Sequence, residues 1–209
     1  MPSHLRPAVA SVVLFSALTG LAYPFAITGI AQALMPRQAN GSLIARGDGF
    51  VGSTLVGQSF TADRDFHGRP SATQAVDPAD GTRTVDAPYN AANSGGSNLG
   101  PTSQKLVDRV KAAVAALGGG PDHPVPADAV TTSASGLDPD ITPADAAAQA
   151  ARVAAARGLP LDRVVALVRD GTQGPGLGIF GEARVNVLGL NLALDAAGGA
   201  TTPPQKPGR

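Results

Sequence analysis

Cysteine is missing from the chain, and so is tryptophan. The first absence removes disulfides, thiolate nucleophiles and Cys-ligated zinc or iron–sulfur sites. Neither sign of charge is in surplus: 16 Lys+Arg stand against 16 Asp+Glu in 209 residues. This balance argues against nucleic acid as a partner, because neutralising phosphates needs excess basic residues. Aromatics make up only 4%. The three histidines, His4, His67 and His123, are scattered, so a zinc site would have to recruit distant carboxylates. The pairs Asp63/Asp65, Asp77/Asp80 and Asp138/Asp140 lack EF-hand spacing and read as turns and caps. Neither a G-x-S-x-G elbow nor a Gly-Lys-Ser/Thr phosphate loop occurs. No catalytic residue and no metal ligand is expected. Glycine and proline are plentiful, 26 and 18, yet below the level of a wholly disordered chain.

Charge is also missing from Pro7 to Met35, PAVASVVLFSALTGLAYPFAITGIAQALM. A membrane-spanning helix needs about 20 mostly apolar residues, and this run exceeds that. We read 1–7 as a short cytoplasmic N-terminus and 8–35 as the transmembrane helix, with a kink at Tyr23-Pro24. Gly20 and Gly29 offer only weak helix-packing signals. A cleaved signal competes, since Ala31-Gln32-Ala33 fits a small-x-small site, but a signal core is about 7–15 residues. His4 and Arg6 precede the run and Arg37 and Arg46 follow it. The positive-inside rule slightly favours a cytoplasmic N-terminus, which puts the remainder outside.

That remainder, 36–195, reads as one soluble mixed domain, followed by a flexible tail at 196–209 ending TTPPQKPGR. Gly52–Phe60 is a candidate strand with Leu55 and Val56 buried. Residues 61–100 look irregular, and loops that long are usually functional or disordered. A helix follows Pro101, capped by Thr102 or Ser103 and stopped at Gly118-Gly119-Gly120. Thr142-Pro143-Ala144-Asp145 opens an alanine-rich helix that ends at Gly158, with Asp145 bonding back to the cap. A third helix from Leu161 to Arg169 buries Leu161, Val164, Val165 and Val168 on one side. Arg184–Leu188 alternates like a strand, and Leu190–Leu194 forms a last strand or helix. The fold class is therefore α+β: a single N-terminal transmembrane helix, then a mixed α/β extracytoplasmic domain.

Two glycine motifs invite a nucleotide reading. Gly176–Gly181 is a literal G-x-G-x-x-G, but polar residues precede it and a strand-like run follows, the reverse of a dinucleotide fingerprint. Ser94-Gly95-Gly96-Ser97-Asn98 could cradle an anion with its amides, and reads more simply as a tight packed turn. Gln149 reads as an exposed helix glutamine, and His67 beside Arg69 as a maker of loop hydrogen bonds.

Several blocks in order resemble the C subunit of the Kdp potassium-transporting ATPase of bacteria. They are LTGLAYPFAITGIAQ in the anchor, Gly52-Ser53, Leu55–Phe60 and Phe66-His67-Gly68-Arg69-Pro70-Ser71. Tyr89-Asn90 with Ser94–Leu99, SASGLDPDITP at Ser133–Pro143, RVAAARGL at Arg152–Leu159, Arg184–Leu188 and Leu190–Leu194 complete the set. The resemblance implies a single-pass protein of the bacterial inner membrane with its C-terminal domain extracytoplasmic. It implies partners: an ATP-hydrolysing P-type subunit, a potassium channel-like subunit, and membrane lipid. ATP and K⁺ are handled by the complex, and no cofactor is bound tightly by this chain. The chain carries no D-K-T-G-T and no T-V-G-Y-G-like filter. Its implied role is assembly and stabilisation of a high-affinity importer. The family is also proposed to raise the ATP affinity of the catalytic subunit, and that proposal gives Gln149 a nucleotide contact. Arg69, Ser94, Gly95, Gly96, Ser97 and Asn98 are the expected partner-contact residues. Two departures from the family pattern stand out: Asp138-Pro139-Asp140 where Asp-Pro-His is frequent, and Tyr89-Asn90-Ala91 where Tyr-Asn-Pro is. The alternative function is a membrane-tethered extracytoplasmic binding domain for a small ligand.

Overall fold

The computed structural model describes residues 2–198, which fall into two units dividing after Ile44. In the first unit, helix α1 (Pro2–Ala17) passes through a π-helical turn at Leu18–Ala22 into helix α2 (Tyr23–Leu34). From His4 to Leu34 this is one stretch of 31 residues, long and apolar enough to cross a membrane. Its rise, about 46 Å at 1.5 Å per residue, exceeds the roughly 30 Å hydrocarbon layer. The π turn lies immediately before Tyr23-Pro24, where a kink is expected. Tyr23 N–H reaches back five residues to the Leu18 carbonyl, and Pro24, which has no N–H to offer, falls in the first turn of α2. A single turn, α3 (Pro36–Ala39), follows.

The second unit contains strands β1 (Leu43–Arg46, entered from the first unit), β2 (Gly49–Ser53), β3 (Gln74–Val76) and β4 (Thr84–Asp86) before its first helix. The strand expected at Gly52–Phe60 ends early. Ser53 Oγ accepts the Leu55 N–H and turns the chain, leaving Leu55 61% exposed and Val56 half-buried. The stretch 61–100 is irregular except for the β3–β4 hairpin, in which Ala75 faces Val85.

Four helices and a small sheet complete the unit, with a single turn α5 (Ala127–Val130) between the first and second of them. Helix α4 (Gln104–Ala116) starts after Ser103, which makes no side-chain cap bond. Helix α6 (Pro143–Arg157) has Thr142 Oγ1 accepting from Asp145 N–H at 3.1 Å and ends at Gly158 in the left-handed region (φ 64°). The expected reciprocal bond from Asp145 is replaced. Asp128 accepts the Thr142 N–H (2.7 Å) and hydroxyl (3.0 Å) instead. Helix α7 (Leu161–Gly171) buries only Val164 and Val168. Leu161 and Val165 are about half exposed, because the packed stripe runs through Val164, Leu167 and Val168. Strands β5 (Asp140–Ile141), β6 (Thr172–Gln173) and β7 (Arg184–Asn186) form an antiparallel sheet with β7 central, Val185 facing both Ile141 and Thr172. The alternation read through Leu188 stops at Asn186, whose Oδ1 accepts the Gly189 N–H and opens helix α8 (Val187–Gly198). Of the expected tail 196–209, residues 196–198 belong to α8, and the rest lies outside the described residues.

The core is built from small residues. Ala146, Ala150, Val153 and Ala154 on α6 recur at helical spacing and let α7 and the sheet approach closely. Phe66 is the largest fully buried side chain and comes from the irregular stretch. A loop therefore supplies the centre of the core, with burial of its ring worth about 1.5–3 kcal/mol.

Candidate functional site

A loop that contributes a core residue must satisfy its own peptide groups without a strand partner. Here side chains do it. Five consecutive carbonyls, Asp63 to His67, each accept a hydrogen bond from a helix side chain. Arg152 serves Asp63 (2.6 Å) and Asp65 (3.1 Å), and Arg157 Nε serves Arg64. Asn191 serves Phe66 (3.0 Å) and Gln149 serves His67 (3.1 Å). The two amides work reciprocally. Phe66 N–H donates to Asn191 Oδ1 and His67 N–H donates to Gln149 Oε1, both at 2.8 Å. The paired donor and acceptor on each side chain fix which way each amide points. Helices α6 and α8 thus clamp the strap 63–67 from two sides.

Gln149 is therefore half-buried and engaged, unlike the exposed helix glutamine expected. Its Nε2 also donates to Asp145 Oδ1 (3.1 Å), and its Oε1 accepts from Arg152 (2.8 Å). Burial raises the Asp145 carboxyl to about 6, helped by Asp128 and opposed by the Gln149 bond and Arg152. Burial lowers Arg152, offset by Asp63, Asp65 and Asp145. Asp65 of the expected turn pair instead joins an ionic cluster. Arg157 contacts Asp65 (2.7 Å) and Asp195 (2.9 Å), all three side chains at most 8% exposed, and Arg46 and Arg64 also approach Asp195. The opening beside this cluster, about 130 Å³, lies below the roughly 300–1,000 Å³ of ligand pockets.

Arg69 starts a second constellation. Its guanidinium pairs with Asp138 at 3.1 Å and reaches Thr131 Oγ1 and the Thr132 carbonyl at a long 3.5 Å, while its carbonyl accepts the Tyr89 hydroxyl at 2.7 Å. Asp138 is a salt-bridge partner besides accepting the Asp140 N–H in its turn, and Asp140 pairs with Arg184. Burial pushes the Tyr89 phenol up to about 12, and Asp138 adds to the shift. The ring lies where Gly57 leaves room, since a Cβ there would stand 2.5 Å from the ring and from the Asp138 carbonyl. His67 makes the loop bond expected, with its ring Nε2 3.1 Å from the Ala62 carbonyl.

The Ser94–Asn98 segment packs on Ser133–Gly136. Ser94 Oγ and Gly95 N–H both donate to the Ser135 carbonyl (3.0 and 2.9 Å), and Thr132 Oγ1 donates to Ser97 Oγ at 3.3 Å. Gly96 admits no side chain, because a Cβ would sit 2.8 Å from the Ala134 carbonyl oxygen, whereas Gly95 faces open space. The left-handed residue of this segment is exposed Asn98 (φ 51°). The structure brings Arg69 and Ser97 together through Thr132. Gln149 stands apart, linked to Arg69 only along the strap through His67. Asn191, Asp138 and Arg157 were missed as functional-site residues by sequence reasoning. An Asn inside the apolar run Leu190–Leu194 was the available signal, since a polar residue there must be bonded.

The nucleotide motif at Gly176–Gly181 is a hairpin loop between β6 and β7, with Gly176 N–H bonded to the Phe180 carbonyl at 2.8 Å. It opens no helix. Among the described residues, no three His, Asp or Glu side chains gather in metal-holding geometry.

These features define an α+β protein with one N-terminal helix of membrane-spanning length, whose polar side chains brace long loops. The family model described as K+-transporting ATPase, c chain (KdpC) matches residues 5–196. The chain is 60% identical to a potassium-transporting ATPase KdpC subunit of Methylorubrum extorquens over 195 residues, 93% of this chain and 97% of the relative. It is 60% identical to that of Methylobacterium nodulans over 200 residues (95% and 100%) and 58% to that of Rhodopseudomonas palustris over 198 (94% and 98%). The chain belongs to the KdpC family.

Proposed function

We propose that this protein is an accessory subunit of a high-affinity, ATP-driven potassium importer of the bacterial inner membrane, where it stabilises the assembled complex. The observation that carries the proposal is near end-to-end identity of about 60% to potassium-transporting ATPase KdpC subunits. Helix 8–35 serves as the single membrane pass, 1–7 lies in the cytoplasm, and 36–195 lies outside. ATP hydrolysis belongs to a P-type subunit and potassium passage to a channel-like subunit. This chain performs neither step. A bracing role suits side chains already bonded to their own loops: Arg69 and Ser94–Ser97 set the shape that neighbouring subunits meet, with Asn98 at its exposed edge.

An outward domain cannot touch cytoplasmic ATP, so any influence on ATP affinity is a coupling free energy through the complex. A direct Gln149–nucleotide contact would first have to release the His67 clamp. The tests are concrete. Removal of 41–209 abolishes growth at micromolar potassium and permits it at millimolar potassium, and the wild-type chain co-purifies with both other subunits. Growth at micromolar potassium without the domain would overturn the reading. A cysteine replacing exposed Ala92 should react with an impermeant thiol reagent in spheroplasts. Labelling only after lysis would reverse the topology.

A further inference from the structure

The hairpin loop between β6 and β7 carries an apolar tip that nothing among the described residues covers. Leu177 is 91% exposed, Ile179 75% and Phe180 66%. Leu177 also holds φ 52°, a left-handed conformation that costs a bulky residue about 1–2 kcal/mol and that no contact of its side chain repays. Four internal bonds fix the shape of the tip. Gly176 and Phe180 exchange N–H···O bonds (2.8 and 2.9 Å), Gly178 bonds back to Pro175, and Ile179 to Gly176. Such a tip is already shaped for docking, so contact demands little backbone ordering.

We infer that the Leu177–Phe180 tip is a plug that docks into an apolar socket with a basic rim on another subunit of the same complex. The inference rests on the subunit reading above. Charge and area select this occupant. Glu182, two residues after Phe180, is exposed with no ion pair among the described residues, while Arg184 pairs with Asp140 and Arg169 with Asp170. An unpaired carboxylate beside an apolar tip is attracted by a basic rim and gains nothing from a lipid surface. A second copy of this chain fits poorly. Three such side chains offer roughly 450 Å² per copy, so two tips together fall short of the 1,200–2,000 Å² of a stable interface. The same area is useful where a membrane anchor already holds the partners together and the second contact is effectively intramolecular.

The test places a photo-crosslinking amino acid at Leu177 in the full-length chain, co-expressed with the other subunits in bacterial membranes, with Leu117 as an exposed control. Docking predicts an adduct between this chain and a different subunit at Leu177, at least about fivefold above the control. A phospholipid adduct, a dimer of this chain, or no adduct above control overturns the plug. Joint replacement Leu177→Ser, Ile179→Ser, Phe180→Ser, which removes mainly exposed apolar surface, should speed dissociation of the purified complex by about tenfold or more. Glu182→Lys should do so to a lesser extent. Dissociation at the wild-type rate in the triple variant overturns the plug. If the wild-type chain fails to co-purify with any subunit, the subunit reading itself fails. Co-purification without a Leu177 adduct sinks the plug alone.

Discussion

Replacing Gln149 with alanine isolates what the strap clamp contributes. The change removes both bonds to the His67 peptide, at 2.8 and 3.1 Å, together with the link to Arg152. His67 is half-buried, so each abandoned peptide group costs about 1 kcal/mol, the low end of the range for an unsatisfied group. Lost methylene packing brings the expected destabilisation to about 2–3 kcal/mol. Urea unfolding of the full chain in detergent, followed by far-ultraviolet circular dichroism, reads the global loss. Hydrogen exchange of the peptide covering 62–69 reads the local one, and 2 kcal/mol corresponds to about 30-fold faster exchange. Gln149→Glu keeps the acceptor for His67 N–H but loses the donor to its carbonyl and places a carboxylate beside Asp145, so it should not rescue. A midpoint and exchange rate unchanged in Gln149→Ala would refute the clamp. Calorimetry of the full chain with ATP completes the assay: binding tighter than about 0.1 mM, lost in this variant while stability is kept, would assign Gln149 to nucleotide instead.

Three further outcomes follow from the geometry. Arg157→Leu leaves Asp65 and Asp195 buried and under-compensated, and should cost about 3–5 kcal/mol in the same unfolding assay. Arg157→Lys should recover little, because an ammonium cannot span two carboxylates and a carbonyl at once. Asp145 is raised to about 6 from an unfolded value near 3.9, so the folded protein holds this proton more tightly. The stability it adds is complete below about pH 4 and lost as pH rises through 6, so Asp145→Asn should gain about 1–3 kcal/mol relative to wild type between pH 4 and pH 7.5. Gly96→Ala should destabilise by about 1–3 kcal/mol through the Ala134 carbonyl, whereas Gly95→Ala should stay within about 0.5 kcal/mol, measured by thermal melting.

Local chemistry was enough to read the long apolar helix at the N-terminus, the start of α6 and the glycine that ends it. An uncharged run needs no partner to declare itself, and a cap is decided within four residues. Family blocks in order were enough to read membership. The same local signals misplaced what distance in sequence controls. The Asp145 carboxylate looked as if it would bond back to Thr142, and Asp128 took that place from 14 residues away. Leu161 and Val165 had helical spacing, yet the helix turned Val164 and Val168 into the core and left those two about half exposed. The strap 63–67 shows the limit best. Nothing periodic marks Asp-Arg-Asp-Phe-His, because its hydrogen bonds go to Gln149, Arg152, Arg157 and Asn191, more than 80 residues further on. Sequence by itself determined which residues could donate and accept. Only the tertiary structure decided that an irregular loop would be held by side chains in place of a strand ladder, because that choice depends on two helices arriving on either side of it.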